Sequence, residues 1–268
     1  MPSVADDRQQ ARLAALRRLA VDLAERDFEE RHPELRLPPI VALICAFEEA
    51  DNLGDVLAKV PTTACGLEVG ALVVVDGGDD GTDKVAIDGG ATTFVLPVNL
   101  GHGVALRIGY DLCLRGGAAY VVTLDADGQN DPGELEELVR PVVEDRADFV
   151  VGSRRLGQDE TEDRYRQLGV VFFATLMNRL TGAHLTDTSS GLRALRAATL
   201  ADVAPRLEQD QYQTSELLVT ALLRGWRVTE RPTVWHERAS GQSKKGKNLL
   251  YGFRYAAVLL GTWRRERR

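Results

Sequence analysis

The sequence predicts an α/β fold in which a mostly parallel, Rossmann-like sheet is flanked by helices. Three observations support this prediction. Short β-rich segments alternate with helical segments, each β-rich segment is apolar almost throughout, and polar or acidic clusters follow the segments directly. Alternation of this kind is typical of parallel sheets, and strands that are apolar on both faces are covered by helices on both sides.

The first element is an amphipathic helix over about 8–28, whose apolar side chains recur at helical spacing among Arg and Glu: Leu13, Leu16, Leu19 and Leu23. Three prolines in the segment 31–39 end it. Apolar runs then predict strands at 40–46, 71–76, 92–97, 120–125 and 148–153. Helical patterns lie between the strands at about 51–60, 101–116 and 132–145.

The second half of the chain has a different order of elements. The pattern predicts a helix over about 163–181, a loop at 185–193, a helix near 215–224, a strand near 226–235, a loop at 236–247 and a final amphipathic helix. We therefore divide the chain into an N-terminal helical extension (1–38), a central sheet domain (39–235), and a basic loop with a C-terminal amphipathic helix (236–268).

Composition narrows the function classes. Apolar residues make up 44% of the chain, and the net charge of −7 with a pI near 5.3 argues against nucleic-acid binding. The three cysteines lack CxxC spacing, which fits a reducing cytoplasm. The first residues carry acids and no apolar core, so we expect no secretory signal. Every apolar run is shorter than the roughly 20 residues that a membrane span requires.

The C-terminal segment is basic although the chain as a whole is acidic. Between Lys244 and Arg268, eight basic residues stand against Glu266 alone. Such a segment indicates an anionic ligand or surface near this end, or a solvated helix face. We expect a cytoplasmic protein. If the basic segment binds an anionic surface, the protein would contact the inner face of the membrane peripherally.

Acidic or polar clusters follow three of the predicted strands. They are Phe47-Glu48-Glu49, the turn Asp76–Asp80, and Asp125-Ala126-Asp127. Parallel strands place their carboxyl ends on the same edge of the sheet, where ligands of such folds bind. The clusters therefore predict a ligand site at that edge.

The segment LDADGQNDP places oxygen-bearing side chains at alternate positions, Asp125, Asp127 and Gln129. Carboxylate and amide oxygens suit Mg²⁺ or Mn²⁺, which usually keep waters and take phosphate oxygens as further ligands. The alternative is a solvated turn that caps the helix beginning at Pro132. The buried strand before the segment and the two other acidic clusters at the same edge favour the metal site.

Two glycine-containing turns are candidates for nucleotide contacts. The turn 75–82 allows the backbone to approach a ligand closely, and Asp76 can accept a hydrogen bond from a base or ribose. In the second turn Gly101 and Gly103 open a helix. Glycines in this place suit either close approach to a phosphate or close packing.

The order of the motifs is more specific than any one of them. AFEEADN, VDGGDDGT, NLGHGVALRIG, LDADGQNDP, VVGSR, DTSSGLR, QTSELL and ERASGQSKK follow one another between about 40 and 250. In this order they resemble the family 2 glycosyltransferases of GT-A fold, in particular the dolichol- or polyprenyl-phosphate mannosyl- and glucosyltransferases. The chain departs from that family in four ways: VDGG stands for DDGS, His102 for a basic residue, hydrophobic C-terminal helices are missing, and the N-terminal helix is additional.

The resemblance implies a set of site residues. Those expected to bind the nucleotide sugar are Ala46, Phe47, Glu48, Asp76, Gly103, Asp125, Ala126 and Asp127. The DxDxQ motif implies that Asp125, Asp127 and Gln129 hold the metal with the diphosphate. The loop from Asp187 to Arg193 is implied to face the acceptor. The residues expected to take part in catalysis are Asp187, Arg154, Arg238 and Lys244, with Ser243 in the same late motif.

These observations predict a metal-dependent, inverting glycosyltransferase. The resemblance implies a nucleotide-diphosphate sugar as donor, GDP-mannose or a UDP-sugar, and a polyprenyl phosphate as acceptor. A phosphate acceptor is already an anion, whereas a hydroxyl acceptor requires a base, for which Asp187 is the candidate; otherwise Asp187 is a turn residue.

Other functions stay open at this point. One is the same donor chemistry with a soluble acceptor, and another is a nucleotidyltransferase, although the glycine-rich basic signature of such enzymes is missing near the first strand. A non-catalytic nucleotide-sugar-binding protein is the third. We expect no nucleic-acid partner, and the sequence leaves a homodimer open.

Overall fold

The structure is a computed structural model that describes residues 4–160, 164–237 and 249–267. Its strands are β1 (Ile40–Ala46), β2 (Thr63–Ala64), β3 (Leu67–Asp76), β4 (Thr92–Leu96), β5 (Tyr120–Asp125), β6 (Phe149–Asp159), β7 (Arg193–Arg196) and β8 (Val228–Trp235). Its helices are α1 (Val4–Arg31), α2 (Ala50–Lys59), α3 (Thr82–Asp88), α4 (His102–Arg115), α5 (Leu135–Val143), α6 (Arg164–Thr181), α7 (Ala197–Val203), α8 (Gln213–Leu223) and α9 (Leu249–Glu266). Two 3₁₀ turns, Pro132–Glu134 and Ala204–Arg206, complete the elements.

The strands form one sheet in the order β2-β3-β1-β5-β7-β6-β8, with β4 also paired to β3. The pairs β3–β4, β1–β3, β1–β5 and β6–β8 are parallel, whereas β7 runs antiparallel to β5 and β6. The predicted mostly parallel sheet is therefore confirmed. Strand β7 was not predicted, because Arg193–Arg196 is short and lies at the end of a polar loop.

Two apolar clusters cover the two faces of the sheet. Along β1, Val41 and Leu43 belong to the cluster that includes α4 and α8 side chains. Ile40, Ala42 and Ile44 alternate with them and belong to the cluster that includes α2 and α5 side chains. This double burial explains why β1 is apolar throughout, and it fixes the strand in the middle of the molecule.

Helix α1 is confirmed, but its leucines do not pack on the body of the protein. About half of each leucine side chain is exposed. The face that packs is instead formed by Ala20, Ala24 and Phe28, and the ring of Phe28 lies 5.4 Å from that of Phe94 on β4. The apolar stripe Leu13, Leu16, Leu19 and Leu23 is therefore left about half exposed by the packing of α1.

Helix α9 packs on α8 and α6 through its buried residues Tyr255 and Leu259. The ring of Tyr255 lies 4.2 Å from that of Phe173 on α6, and Trp263 donates a hydrogen bond to the carbonyl of Leu180. Within the described residues, every helix is too short or too polar to cross a bilayer. The three proposed chain divisions stay a prediction.

The contact between α4 and β1 gives a test of the packing. A methyl group added at Gly109 of α4 would lie 2.4 Å from Cδ1 of Leu43, which is fully buried. We expect Gly109→Ala to lower the free energy of unfolding by about 1–2 kcal/mol, because overpacking outweighs the gain in helix propensity. Urea denaturation measures this change.

Gly261→Ala on α9 is the matched control, because no described atom lies within 4 Å of the added methyl group there. It should leave the stability unchanged or raise it slightly. Equal effects of the two substitutions would contradict the packing of α4 on β1.

Candidate active site

The acidic clusters meet at one edge of the sheet, as the sequence predicts. Strand β1 lies between β3 and β5 and runs parallel to both. In this register Ala46 is paired with Val75 and Cys45 with Asp125. The residues that follow the three strands therefore leave the sheet side by side.

Asp125 ends β5 with a half-buried carboxylate. Within the described part of the chain, no hydrogen bond to its two carboxylate oxygens is found, although its backbone N–H donates to Asn130. The loop that precedes β7 lies directly against it, because a methyl group at Gly191 would come within 3.0 Å of both oxygens. The carboxylate is therefore placed beside the predicted acceptor loop with its oxygens available to a ligand.

Asp127 and Gln129 belong to a turn that is tied to the end of β8. Asp127 is buried and accepts a hydrogen bond from the backbone N–H of Gln129 at 3.1 Å. Gln129 donates its side-chain amide to the carbonyl of His236 and accepts the backbone N–H of that residue. This turn fixes two of the predicted metal ligands relative to each other.

The donor set fits a hard divalent cation. No group of three or more His, Cys, Asp or Glu side chains is arranged to hold a metal among the described residues. Asp125 and Asp127 would therefore need further oxygens, from Gln129, water and a diphosphate. Partial protein coordination of this kind is how Mg²⁺ and Mn²⁺ are usually bound beside phosphates.

The centre of the site is a buried ion pair between Arg154 and Asp187. The guanidinium of Arg154 bonds both carboxylate oxygens, with Nε–Oδ2 at 2.6 Å and Nη2–Oδ1 at 2.8 Å. The carboxylate is 0% exposed, and the guanidinium lies 4.8 Å from the ring centroid of Trp235. Nη2 also donates to the hydroxyl of Ser189. The pair thus joins β6, β8 and the loop before β7.

The ion pair sets the chemistry that Asp187 can perform. Burial opposes its ionisation, yet the hydrogen bonds and charge of Arg154 hold the pKa of Asp187 below its usual value. A carboxylate with a lowered pKa and both oxygens engaged is a weak proton acceptor. The general-base role of Asp187 and the diphosphate role of Arg154 stay predictions, and this geometry argues against both.

Two further charged side chains hold the same loop, through contacts that the sequence did not predict. Glu230 on β8 accepts the backbone N–H groups of Thr186 and Asp187 at 2.8–2.9 Å. Arg193 is fully buried and donates to three backbone carbonyls, those of Thr188, Ser190 and Thr214. Arg193 ends the motif DTSSGLR and could have been found there, whereas nothing in the sequence marks Glu230.

Asp76 has a structural task besides its predicted contact with the nucleotide. Its two carboxylate oxygens accept the backbone N–H groups of Leu100 (2.7 Å) and Gly101 (2.9 Å). Burial raises the pKa of Asp76, while these two hydrogen bonds oppose the rise. Asp76 therefore joins the end of β3 to the start of α4, and its contact with a base or ribose stays a prediction.

Gly103 is closely packed, as one of the two interpretations of the sequence expects, and its contact with a nucleotide stays a prediction. A methyl group at this position would lie 2.6 Å from the carbonyl oxygens of both Gln209 and Asp210. Its backbone N–H donates to Asp210. The loop that contains Gln209 and Asp210 is anchored by the buried carboxylate of Glu216, which accepts the backbone N–H groups of residues 208 and 209. Glu216 also forms an ion pair with Arg265 of α9.

The remaining predicted residues differ in their accessibility. Ala46 and Ala126 are buried, Phe47 is half-buried, and Glu48 is exposed with a left-handed backbone (φ 51°). Arg238, Ser243 and Lys244 lie outside the described residues. The structure therefore brings together Asp125, Asp127, Gln129, Arg154 and Asp187, and holds Asp76 and Gly103 at the neighbouring strand end and helix start.

Removal of the Arg154 guanidinium should leave the buried carboxylate of Asp187 unpaired and destabilise the protein. We expect Arg154→Met to lower the free energy of unfolding at pH 8 by about 3–5 kcal/mol. In the wild type, Asp187 contributes stability that is present above its unfolded pKa of about 4 and is lost as the pH falls below that value. In the variant burial raises the pKa instead, so the penalty shrinks as the pH falls.

The difference in stability between wild type and variant should therefore be smaller at pH 5 than at pH 8, measured by urea denaturation at both values. The double variant Arg154→Met with Asp187→Asn carries no buried charge at this place and should recover part of the loss. A difference independent of pH would contradict the ion pair as described.

The bonds of Asp76 predict a loss of stability that does not depend on nucleotide. We expect Asp76→Ala to leave the N–H groups of Leu100 and Gly101 without their acceptor, and to lower the free energy of unfolding by about 1–3 kcal/mol. Asp76→Asn keeps one acceptor oxygen and should lose less. Thermal unfolding of the ligand-free protein measures both, and an unchanged Asp76→Ala protein would refute the structural task.

Comparison with known proteins shows to which family the chain belongs. The family model described as glycosyl transferase family 2 matches residues 41–203. The chain is 30% identical to a dolichyl-phosphate hexose transferase of Haloferax volcanii, over 79% of this chain and 88% of that protein. It is 31% identical to a polyprenol monophosphomannose synthase of Mycolicibacterium smegmatis, over 78% of this chain and 82% of that protein.

Solved structures show the same fold at low sequence identity. A glucosyl-3-phosphoglycerate synthase from Mycobacterium tuberculosis, in complex with Mn²⁺, UDP and glucosyl-3-phosphoglycerate, superposes with a TM-score of 0.63 at 17% identity. The match covers 88% of this chain and 82% of that one. Both the sequence family and the GT-A fold predicted above are thereby confirmed: the chain belongs to glycosyl transferase family 2 and is a glycosyltransferase.

Proposed function

We propose that this glycosyltransferase moves a sugar from a nucleotide-diphosphate sugar to a polyprenyl phosphate, with inversion at the anomeric carbon and with Mg²⁺ or Mn²⁺ as cofactor. The observation that carries the proposal is the buried ion pair of Asp187 with Arg154. The names of the relatives, a dolichyl-phosphate hexose transferase and a polyprenol monophosphomannose synthase, support the same acceptor class.

The ion pair bears on the acceptor. Transfer to a hydroxyl requires a base that removes its proton, whereas a phosphate attacks as an anion. Asp187, the candidate base, is held ionised with both oxygens bonded to Arg154. An acceptor that needs no base therefore suits this site best, and the pair then serves to position the loop beside Asp125.

The proposed binding site of the sugar donor lies at the edge of the sheet where the acidic clusters meet. Asp125, Asp127 and Gln129 would hold the cation, which when bound offsets the negative charge that develops on the leaving diphosphate. The base and ribose would lie between the ends of β1 and β3, near Ala46 and Asp76. The relative named for mannose and the solved structure that contains UDP make GDP-mannose and UDP-sugars the donors to compare.

A surface beside α6 and α9 suits contact with the lipid. Phe172 is 61% exposed and Phe253 is 68% exposed, and both adjoin the crossing of the two helices at Phe173 and Tyr255. Arg254 is exposed next to Phe253. Exposed aromatic rings with adjacent basic residues favour binding at an anionic membrane interface, which would bring the active site close to a lipid phosphate.

Transfer assays test the proposal directly. We expect sugar from GDP-mannose or a UDP-sugar to be transferred to a short polyprenyl phosphate in the presence of Mg²⁺ or Mn²⁺. This transfer activity should be lost in EDTA. Phosphoglyceric acid and a polyprenol without phosphate are the comparison acceptors, and NMR of the product gives the anomeric configuration. Transfer to a hydroxyl acceptor but not to the polyprenyl phosphate would overturn the proposal and favour Asp187 as base.

Asp127→Asn should lower the rate of that transfer by about 100-fold or more, because the cation loses a charged ligand. Asp131→Asn is the matched control in the same turn, since Asp131 caps the 3₁₀ turn through Gly133 and an asparagine can still accept that bond. Equal activities of the two variants, or full activity in EDTA, would contradict the metal site.

The membrane contact predicts a separate result. We expect the double variant Phe172→Ser with Phe253→Ser to float with liposomes rich in phosphatidylglycerol about tenfold less than the wild type, because it buries less apolar area in the interface. Ile87→Ser is the control, because Ile87 is also half-exposed but lies on α3. Equal flotation of wild type and double variant would argue against this surface.

A further inference from the structure

Residues 9–19 of α1 are exposed around the whole circumference of the helix. Every described side chain from Gln9 to Leu19 is exposed, and this segment contacts the body of the protein through the ion pair of Arg17 with Asp210. Helical segments of this length are marginally stable in water unless a face is packed. The structure therefore contains a helix whose first half lacks the packing that its second half has through Ala20, Ala24 and Phe28.

The exposed stripe of α1 is nearly symmetric about the middle of the helix. Reversal of the chain direction about Arg18 brings Leu13 onto the position of Leu23, and Leu16 close to that of Leu19. These four leucines are each about half exposed. A stripe that maps onto itself under such a reversal can pack against the same stripe of a second, antiparallel helix, as an isologous two-fold interface requires.

The charges of α1 are distributed unevenly along the helix, in a way that favours antiparallel pairing. Residues 8–21 contain four arginines and no acid, whereas residues 22–30 contain five acids and one arginine. An antiparallel pair places the basic half of one helix along the acidic half of the other, and a parallel pair would place like charges together. At each end of the stripe Arg12 of one copy would lie near Asp27 of the other.

We propose that α1 is a dimerisation helix that binds α1 of a second copy of this chain in antiparallel orientation through Leu13, Leu16, Leu19 and Leu23. The exposed first half of each helix then covers the exposed face of the partner's second half, whose other face is packed on β4. A 28-residue helix is about 42 Å long, so the contact is extended but narrow. The association is therefore concentration-dependent.

Sedimentation equilibrium of the full chain tests the dimer over about 1–200 µM. We expect the wild type to dimerise, and Leu16→Asp or Leu23→Asp to raise the dissociation constant about tenfold or more, since each removes an apolar contact from the interface. Ile87→Asp is the control, because Ile87 is equally exposed on α3 and should leave the constant unchanged. Unchanged thermal midpoints would show that the variants remain folded.

The orientation is tested by disulfide formation between two variants, Leu13→Cys and Leu23→Cys. An antiparallel pair predicts that a mixture of the two cross-links under mild oxidation faster than either alone, with the wild-type chain as the control for its own three cysteines. A wild type that stays monomeric at the highest concentration, a dimer that neither leucine variant weakens, or cross-linking of Leu13→Cys mainly with itself would each overturn the proposal.

Discussion

The arrangement of the active site depends on the burial of one ion pair. Asp187 is fully buried at the edge of the sheet, where a carboxylate is costly unless a cation bonds both of its oxygens. Arg154 supplies that cation, and its own burial is made tolerable by the same two bonds, by Ser189 and by the ring of Trp235. Three separate elements are thereby held together at the point where the predicted acceptor loop meets Asp125.

The pair also divides the acidic groups of the site into two kinds. Asp187 is neutralised inside the protein, whereas the carboxylate of Asp125 keeps its oxygens for a ligand within the described part of the chain. This difference suits the first to a structural task and leaves the second available to a ligand, as the proposed metal site requires. It is also why the site suits an acceptor that arrives already ionised.

The sequence was informative where local pattern decides structure. The bounds of β1 and β5 were predicted as observed, because each is an apolar run that ends at a polar cluster. Strand β7 was missed, since Arg193–Arg196 pairs with its neighbours through the backbone and has no β-rich composition. The leucine stripe of α1 predicted a helix correctly but gave no indication that Ala20 and Phe28 form the packed face.

The ion pair itself could not be predicted from the pattern. Arg154 and Asp187 each stand in a motif, yet they are 33 positions apart and meet only because β6, β7 and the loop between α6 and β7 fold against one another. The contacts of Glu230 and Glu216 could not be predicted for a similar reason, since the groups that they bind belong to the backbone of distant loops. Interactions of this kind depend on tertiary structure, and residue spacing carries no record of them.

The anchoring of these loops has a consequence for how the protein can change over generations. Asp76, Glu230 and Glu216 bind main-chain N–H groups, which every amino acid except proline supplies. The hydrogen bond to each anchor therefore does not depend on the side chain at the bound position, and an exposed side chain such as that of Glu208 can be exchanged while the anchor remains. A scaffold built in this way can acquire a different sugar or acceptor preference through loop substitutions and still keep the backbone path that surrounds the site.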